Sequence, residues 1–213
     1  MSLPHQCGLF CLNEGAVQVK NKKIIRAEMR ERRRSLTLEE QSVAAMSLSK
    51  NLFHYLTLVR ASRIAAYVAN DGEIDPFPAL MKALEIGCQC FLPVLFPGRK
   101  PRVRFACFSK NSKFIFNRYG ILEPSLNQRY CIDAIQLEWI LIPLVAFDRF
   151  GNRIGMGGGY YDSTLASVLH RKNWKRPRLV GLAYEFQQIE KINQDQWDVP
   201  MHGILTEKGF YRF

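Results

Sequence analysis

Residues Trp139 to Asp162 read WILIPLVAFDRFGNRIGMGGGYYD, and the order of their parts decides the fold. Trp139 to Phe147 is an almost unbroken apolar run, the composition of a strand buried on both faces. It passes into a loop holding five glycines between Gly151 and Gly159, and Tyr160 to His170 then reads as a helix. Strand, glycine-rich loop and helix in this order bring backbone amides and a helix N-terminus together, an arrangement suited to one bound anion. Glycine serves there because it removes side chains where something else must approach closely. A Walker sequence would end in Gly-Lys-Ser/Thr, and a dinucleotide fingerprint would add a distant acid; the loop has neither.

The same alternation continues on both sides. Upstream, Ile64 to Ala69 reads as a short buried strand that leads into the turn Asn70 to Glu73. Pro76 to Ile86 reads as a helix ended by Gly87, Cys90 to Phe96 as a strand before the Pro97-Gly98 turn, and Val103 to Phe108 with Phe114 to Phe116 as a hairpin-like excursion. Downstream, Leu179 to Tyr184 and Ile204 to Thr206 read as further strands. Two helices precede them all. The first starts at Lys20 with Ile24, Ile25 and Met29 as its apolar stripe; the second has a Thr37/Glu40 capping box and apolar positions Ala45, Leu48, Leu52 and Leu56. The pattern predicts a single three-layer α/β/α domain, with a largely parallel sheet covered by helices on both faces. In such sheets ligands bind beyond the carboxyl ends of the strands, here the loops Asn70 to Asp75, Asp148 to Tyr161, and Glu185 onward.

Composition agrees with one globular domain: 213 residues, 47% apolar and 23% charged, which excludes a disordered or fibrous chain. Residues 1–19 lack a sustained period and read as a loose extension ahead of a domain spanning 20–213. Six dilute cysteines without a Cys-x-x-Cys pair predict reduced thiols, with Cys88 and Cys90 as small core residues about Gln89. His5, Cys7 and Cys11 lack a fourth ligand for zinc. No run approaches the roughly 20 apolar residues of a membrane span, and the start shows no secretory pattern, so a cytoplasmic protein that engages no membrane is expected.

Charge is the unusual property. Thirty Lys and Arg against nineteen Asp and Glu give +11, and Lys20 to Arg34 alone carries a net +6. That helix either closes over a polyphosphate through Lys22, Lys23 and Arg26, lies along a nucleic-acid backbone, or is a solvated face. No zinc finger, aromatic RNA-binding signature or helix-turn-helix spacing accompanies it, which argues against nucleic acid. Arg153 offers a planar donor fork to a transferring phosphate. Asp162 either holds a magnesium ion or favours the dipole of its helix. Glu73 either binds a cationic or amide edge of a substrate or is an exposed turn acid. No Gly-x-Ser-x-Gly elbow is present, and none of His5, His54, His170 or His202 lies in a nucleophile motif.

Together these residues resemble the 5-formyltetrahydrofolate cyclo-ligase family. The resemblance rests on Ile142 to Asp148 followed by Gly151-Asn152-Arg153-Ile154-Gly155-x-Gly-x-Gly-Tyr160-Tyr161-Asp162. It extends to Lys22 to Arg26, Asp71 to Asp75, Gly181 to Gln187 and Trp197 to Met201, over roughly residues 20 to 211. It implies an ATP- and magnesium-dependent monomeric enzyme that converts 5-formyltetrahydrofolate to 5,10-methenyltetrahydrofolate, with ADP and phosphate released. By position it implies that Lys22, Lys23, Ile24, Ile25 and Arg26 contact ATP, as do Arg153, Ile154, Gly155, Met156, Gly157, Gly158, Gly159, Tyr160 and Tyr161. Lys22 and Arg153 would be catalytic. Arg26, Val68, Glu73 and Met156 to Tyr160 would line the folate site, and Asp162 and Asp198 would bind magnesium. His202 and Ser163 depart from the family pattern, which expects an acid and a basic residue there.

Overall fold

The computed structural model describes residues 21–55, 62–96, 98–125, 127–169, 177–193, 195 and 198–213. The extension 1–19 lies outside these, as do Leu56, Pro97, His170 and Trp197. Helix α1 (Lys22–Arg34) is followed by α2 (Leu38–Tyr55), β1 (Arg63–Ala65), α3 (Phe77–Glu85), β2 (Gln89–Phe96), β3 (Arg102–Phe108), β4 (Phe114–Phe116) and β5 (Leu122–Pro124). Then come β6 (Trp139–Pro143), β7 (Ala146–Phe147), β8 (Arg153–Ile154), α4 (Tyr160–Leu169), β9 (Arg178–Leu182), β10 (Gly203–Leu205) and β11 (Phe210–Arg212).

Seven strands form the central sheet in the order β11-β10-β9-β6-β1-β2-β3. The pairs from β2 through β10 are parallel, and only the edge strands β3 and β11 run antiparallel. Alternation along each strand fills two cores. Ile64, Cys90, Trp139, Leu141 and Val180 pack against α2 and α3 on one face. Ala65, Phe91, Ile140, Ile142 and Leu179 pack with Leu165 of α4 on the other. The three-layer reading therefore holds. The chain runs outward from β1 to β2 and β3, then returns to β6 and runs outward the other way. The crevice between β1 and β6 is thus the switch point at which ligands bind in such sheets.

Three local expectations are corrected. The strand expected over Ile64 to Ala69 is shorter, because the chain leaves the sheet after β1 toward the Asn70 to Glu73 turn. Val103 to Phe108 and Phe114 to Phe116 do not pair with each other: β3 pairs along its whole length with β2, and β4 with β5. The run Trp139 to Phe147 is two strands. Pro143 ends β6, and the Gln187 amide then donates to the carbonyls of Leu144 (2.9 Å) and Val145 (2.7 Å), groups that would otherwise be buried without partners. β7 turns back against β8 in its own hairpin, which carries the glycine-rich loop away from the sheet. Asp148 is fully buried and fixes this bend, accepting from the amides of Phe150, Asn152 and Ile192 and from the Asn152 side chain.

Cys88, Cys90, Cys107 and Cys131 are free thiols, with Cys88 and Cys90 buried as expected. Thr37 and Glu40 form the capping box, each accepting from the other's backbone amide. Among the described residues no helix is long and apolar enough to cross a membrane.

Candidate active site

Helix α1 lies across the carboxyl ends of the strands because its stripe, Ile25 and Met29, packs on Val145, Ala146, Ile154 and Ile192. Side chains four residues apart share a helix face. Lys22, Arg26 and Arg30 therefore form a ladder, and each rung meets a different loop.

The Lys22 ammonium lies 2.6 Å from Asp195 Oδ2 and 3.3 Å from Asp198 Oδ2. Partial burial opposes its charge, but these two carboxylates outweigh that and hold its pKa above the ordinary lysine value. Arg26 donates to the Gly155 carbonyl at 2.8 Å. Its guanidinium also lies 3.8 Å from where a Cβ on Gly157 would stand, and Gly157 has φ +95°, a conformation that favours glycine. Arg30 donates to Asp71 Oδ2 at 2.6 Å, and Arg34 donates to Asp71 Oδ1 at 2.5 Å. Against its desolvation, these two cations hold the Asp71 carboxyl below its usual range.

Arg33 follows the buried stripe rather than the exposed face, four residues beyond Met29, and is fully buried. Its Nη2 reaches Asp71 Oδ2 at 3.4 Å and Met156 Sδ at 3.9 Å, so one guanidinium joins α1, the turn after β1 and the glycine-rich loop. Glu73 is also buried. Its Oε2 accepts from the Asn70 amide at 3.1 Å, while its Oε1 stands 3.9 Å from Arg33 Nη1. Burial pushes its pKa up to about 7 despite Arg33.

Arg153 donates to Asp162, tying β8 to the first turn of α4 across the loop. Among the described residues, the buried side-chain atoms without hydrogen-bond partners are Arg33 Nε and Nη1, Arg153 Nε, and the hydroxyls of Tyr161 and Tyr184. Burial pushes both phenols above the usual tyrosine value. Buried polar groups are normally satisfied. These five atoms are therefore exceptions, and each lies in α1, β8, α4 or the segment after β9.

The remaining expected residues fall around this centre. Lys23 is exposed at the start of α1, where its amide donates to the capping Asn21 side chain, and Ile24 points outward. Ile25 and Ile154 are core residues that also floor a cleft of about 170 Å³, walled by Asn21, Lys22, Lys191, Ile192 and Asn193. That is below the roughly 300–1,000 Å³ of whole small-molecule sites, so the cleft fits one part of a larger ligand. Met156, Gly157, Gly158 and Gly159 are exposed along the crevice rim. The Tyr160 hydroxyl meets Arg118 and lies 2.9 Å from that of Tyr119, both from the β4–β5 tip; the hydrogen bond with Tyr119, then the Arg118 charge, hold its phenol below the usual value. Val68 is half-buried after β1. His202 does not face the site: its Nδ1 accepts from the Leu179 amide in the sheet.

A sequence profile of the 5-formyltetrahydrofolate cyclo-ligase family matches residues 18–207. The chain belongs to that family. The 5-formyltetrahydrofolate cyclo-ligase of Escherichia coli K12 is 35% identical over 178 residues, covering 84% of this chain and 96% of the relative. That of Haemophilus influenzae is 35% identical over 192 residues, covering 89% and 100%. The solution structure of 5,10-methenyltetrahydrofolate synthetase from Aquifex aeolicus is similar with a TM-score of 0.73 at 28% identity, over 90% of this chain and 92% of that one.

Within this cyclo-ligase fold, sequence reading had not singled out Arg33, Asp71, Tyr184, Asp195 or Lys191 for a role in the site. A signal existed for Arg33: Ile25, Met29 and Arg33 recur every four residues, so a permanent cation occupies a core position. Asp195 and Lys191 lie in the loop from Glu185 onward that the sheet rule marks, but nothing local picks them out within it; tertiary folding brings them to the start of α1.

Proposed function

We propose that this chain converts 5-formyltetrahydrofolate to 5,10-methenyltetrahydrofolate at the expense of ATP. The observation that carries the reading is the ladder Lys22, Arg26 and Arg30, whose cations meet the C-terminal segment, the glycine-rich loop and the β1 turn along one helix face. Cations and loop amides suit the phosphates of ATP, with Lys22, Lys23, Ile24, Ile25, Arg26 and Arg153 to Tyr161 on that side. Arg26, Val68, Glu73 and Met156 to Tyr160 suit the folate.

A formyl amide oxygen is a poor leaving group. Its attack on the terminal phosphorus of ATP releases ADP and leaves an activated imidate phosphate; the neighbouring folate N–H nitrogen then adds to the formyl carbon and gives up its proton to solvent, and phosphate departs with the original oxygen. Such transfer depends chiefly on positioning and charge neutralisation. Lys22 and Arg153 supply fixed positive charge to the phosphates, held in place by Asp195, Asp198 and Asp162. Magnesium binding commonly uses one or two carboxylates with phosphate oxygens and water completing the shell. Asp198 and Asp162 would hold it on exchange from Lys22 and Arg153, which engage them in the structure; among the described residues no three-membered cluster of His, Cys, Asp or Glu forms a protein-only cage. When bound, magnesium would neutralise phosphate charge.

The test is the rise of methenyl absorbance on mixing purified protein, 5-formyltetrahydrofolate, magnesium and ATP. Product that requires ATP supports the reading; no product from folded wild type overturns it.

A further inference from the structure

Arg33 has more donor capacity than its neighbours use. Its guanidinium is fully buried, and only Nη2 is engaged, by Asp71 and Met156. Nε and Nη1 have no partner. The 3.9 Å to Glu73 Oε1 is a charge contact too long for a hydrogen bond, so the two groups sit side by side, each with open hydrogen-bonding positions. Leaving such atoms unpaired in the interior is costly, more so when the group is charged. A buried donor beside a buried acceptor is complementary to a ligand edge that offers the reverse order, a carbonyl next to N–H groups.

We propose that Arg33 is a specificity-determining residue of the folate site, donating its free N–H groups to the ring carbonyl of the substrate's 2-amino-4-oxopyrimidine while Glu73 accepts from the adjacent N–H groups. This rests on the cyclo-ligase reading above and adds a recognition element to it. Asp71 has a positioning role: with Arg30 and Arg34 bound to it, it anchors Arg33 Nη2 and leaves Nη1 beside Glu73. Gly72 makes the close approach possible, having φ +71° and a hypothetical Cβ only 3.0 Å from the Arg33 backbone.

The experiment compares binding of 5-formyltetrahydrofolate and its 4-amino-4-deoxy counterpart by calorimetry at pH 8, alongside wild-type turnover. The amino group replaces an acceptor by a donor and would confront the Arg33 N–H groups. Wild type is expected to prefer the 4-oxo compound by roughly tenfold to a hundredfold, the range for one charge-assisted hydrogen bond. Arg33→Gln is expected to narrow that preference to within a few-fold, since an amide can turn to accept. Arg33→Lys, which keeps the charge beside Asp71 with a shorter reach, is the second variant and is expected to narrow it likewise. A folded variant that weakens both compounds equally and keeps the wild-type preference overturns the proposal, because a purely structural Arg33 would behave so. With turnover present, a wild type lacking any 4-oxo preference overturns it without a variant. Absence of turnover would instead count against the cyclo-ligase reading.

Discussion

Arg153 and Asp162 join the two ends of the glycine-rich loop through one ion pair in which the arginine side chain is 5% exposed and the carboxylate 25%. The proposed phosphate contact and the closure of the loop therefore depend on the same guanidinium. Arg153→Ala is expected to lower turnover at least about a hundredfold and also to destabilise the fold by roughly 2–4 kcal/mol, because it leaves a partly buried carboxylate unpaired. Steady-state rates and urea unfolding separate the two. Arg153→Lys should recover more of the stability than of the turnover, since it restores charge but not the donor fork.

Lys22 lies at the opposite extreme. Its partner Asp195 is 44% exposed, and its other partner Asp198, 19% exposed, keeps the Asp195 amide as a donor when the ammonium is removed, so the two contacts add about 1 kcal/mol to stability. Lys22→Met is expected to raise the KM for ATP by roughly tenfold or more while leaving the urea midpoint nearly unchanged. A large loss of stability with unaltered KM would make Lys22 a structural residue.

Glu73 sets a pH dependence of known sign. Its folded pKa of about 7 lies above the ordinary carboxyl value of 4.5, so the folded state binds the proton more tightly. The stability this contributes is complete below about pH 4.5 and is lost as pH rises through 7. Relative to Glu73→Gln, wild type should lose up to about 3 kcal/mol of unfolding free energy across that interval. Urea titrations at several pH values check this. With Glu73 accepting from the substrate's N–H groups as proposed, the same ionisation favours binding, so the wild-type KM for folate should fall over the range in which stability declines, and the Gln variant should show neither trend.

Gln187 supports the site from beneath, holding the two carbonyls that follow Pro143 while its oxygen accepts from the Tyr184 amide at 2.8 Å. Gln187→Leu strands three buried backbone groups and is expected to cost at least about 3 kcal/mol, measured by urea unfolding.

How much of this was legible in the sequence varied with the range of the interactions involved. The central strands, the glycine-rich loop and α1 through α4 were readable because periodicity, capping and apolar runs are local signals. The split at Pro143 was half visible, since proline ends the ladder but only Gln187, 44 residues further on, absorbs the carbonyl of Val145. Pairing of β3 with β2 rather than β4 is a tertiary choice: the sheet offers a long buried edge, whereas β4 finds a short partner in β5. At the candidate site, charge and loop context single out Lys22, Arg26, Arg153 and Glu73. Arg33 was hidden among neighbouring arginines, and its burial became apparent once α1 was seen to face Asp71 and Met156.

Oxygen tracing tests the central claim most directly. With 5-formyltetrahydrofolate carrying 18O in the formyl group, incubated with the protein, magnesium and ATP, the account expects one labelled inorganic phosphate for each methenyl product formed. Methenyl product accompanied by unlabelled phosphate, with the label released to water, would contradict phosphorylation of the formyl oxygen.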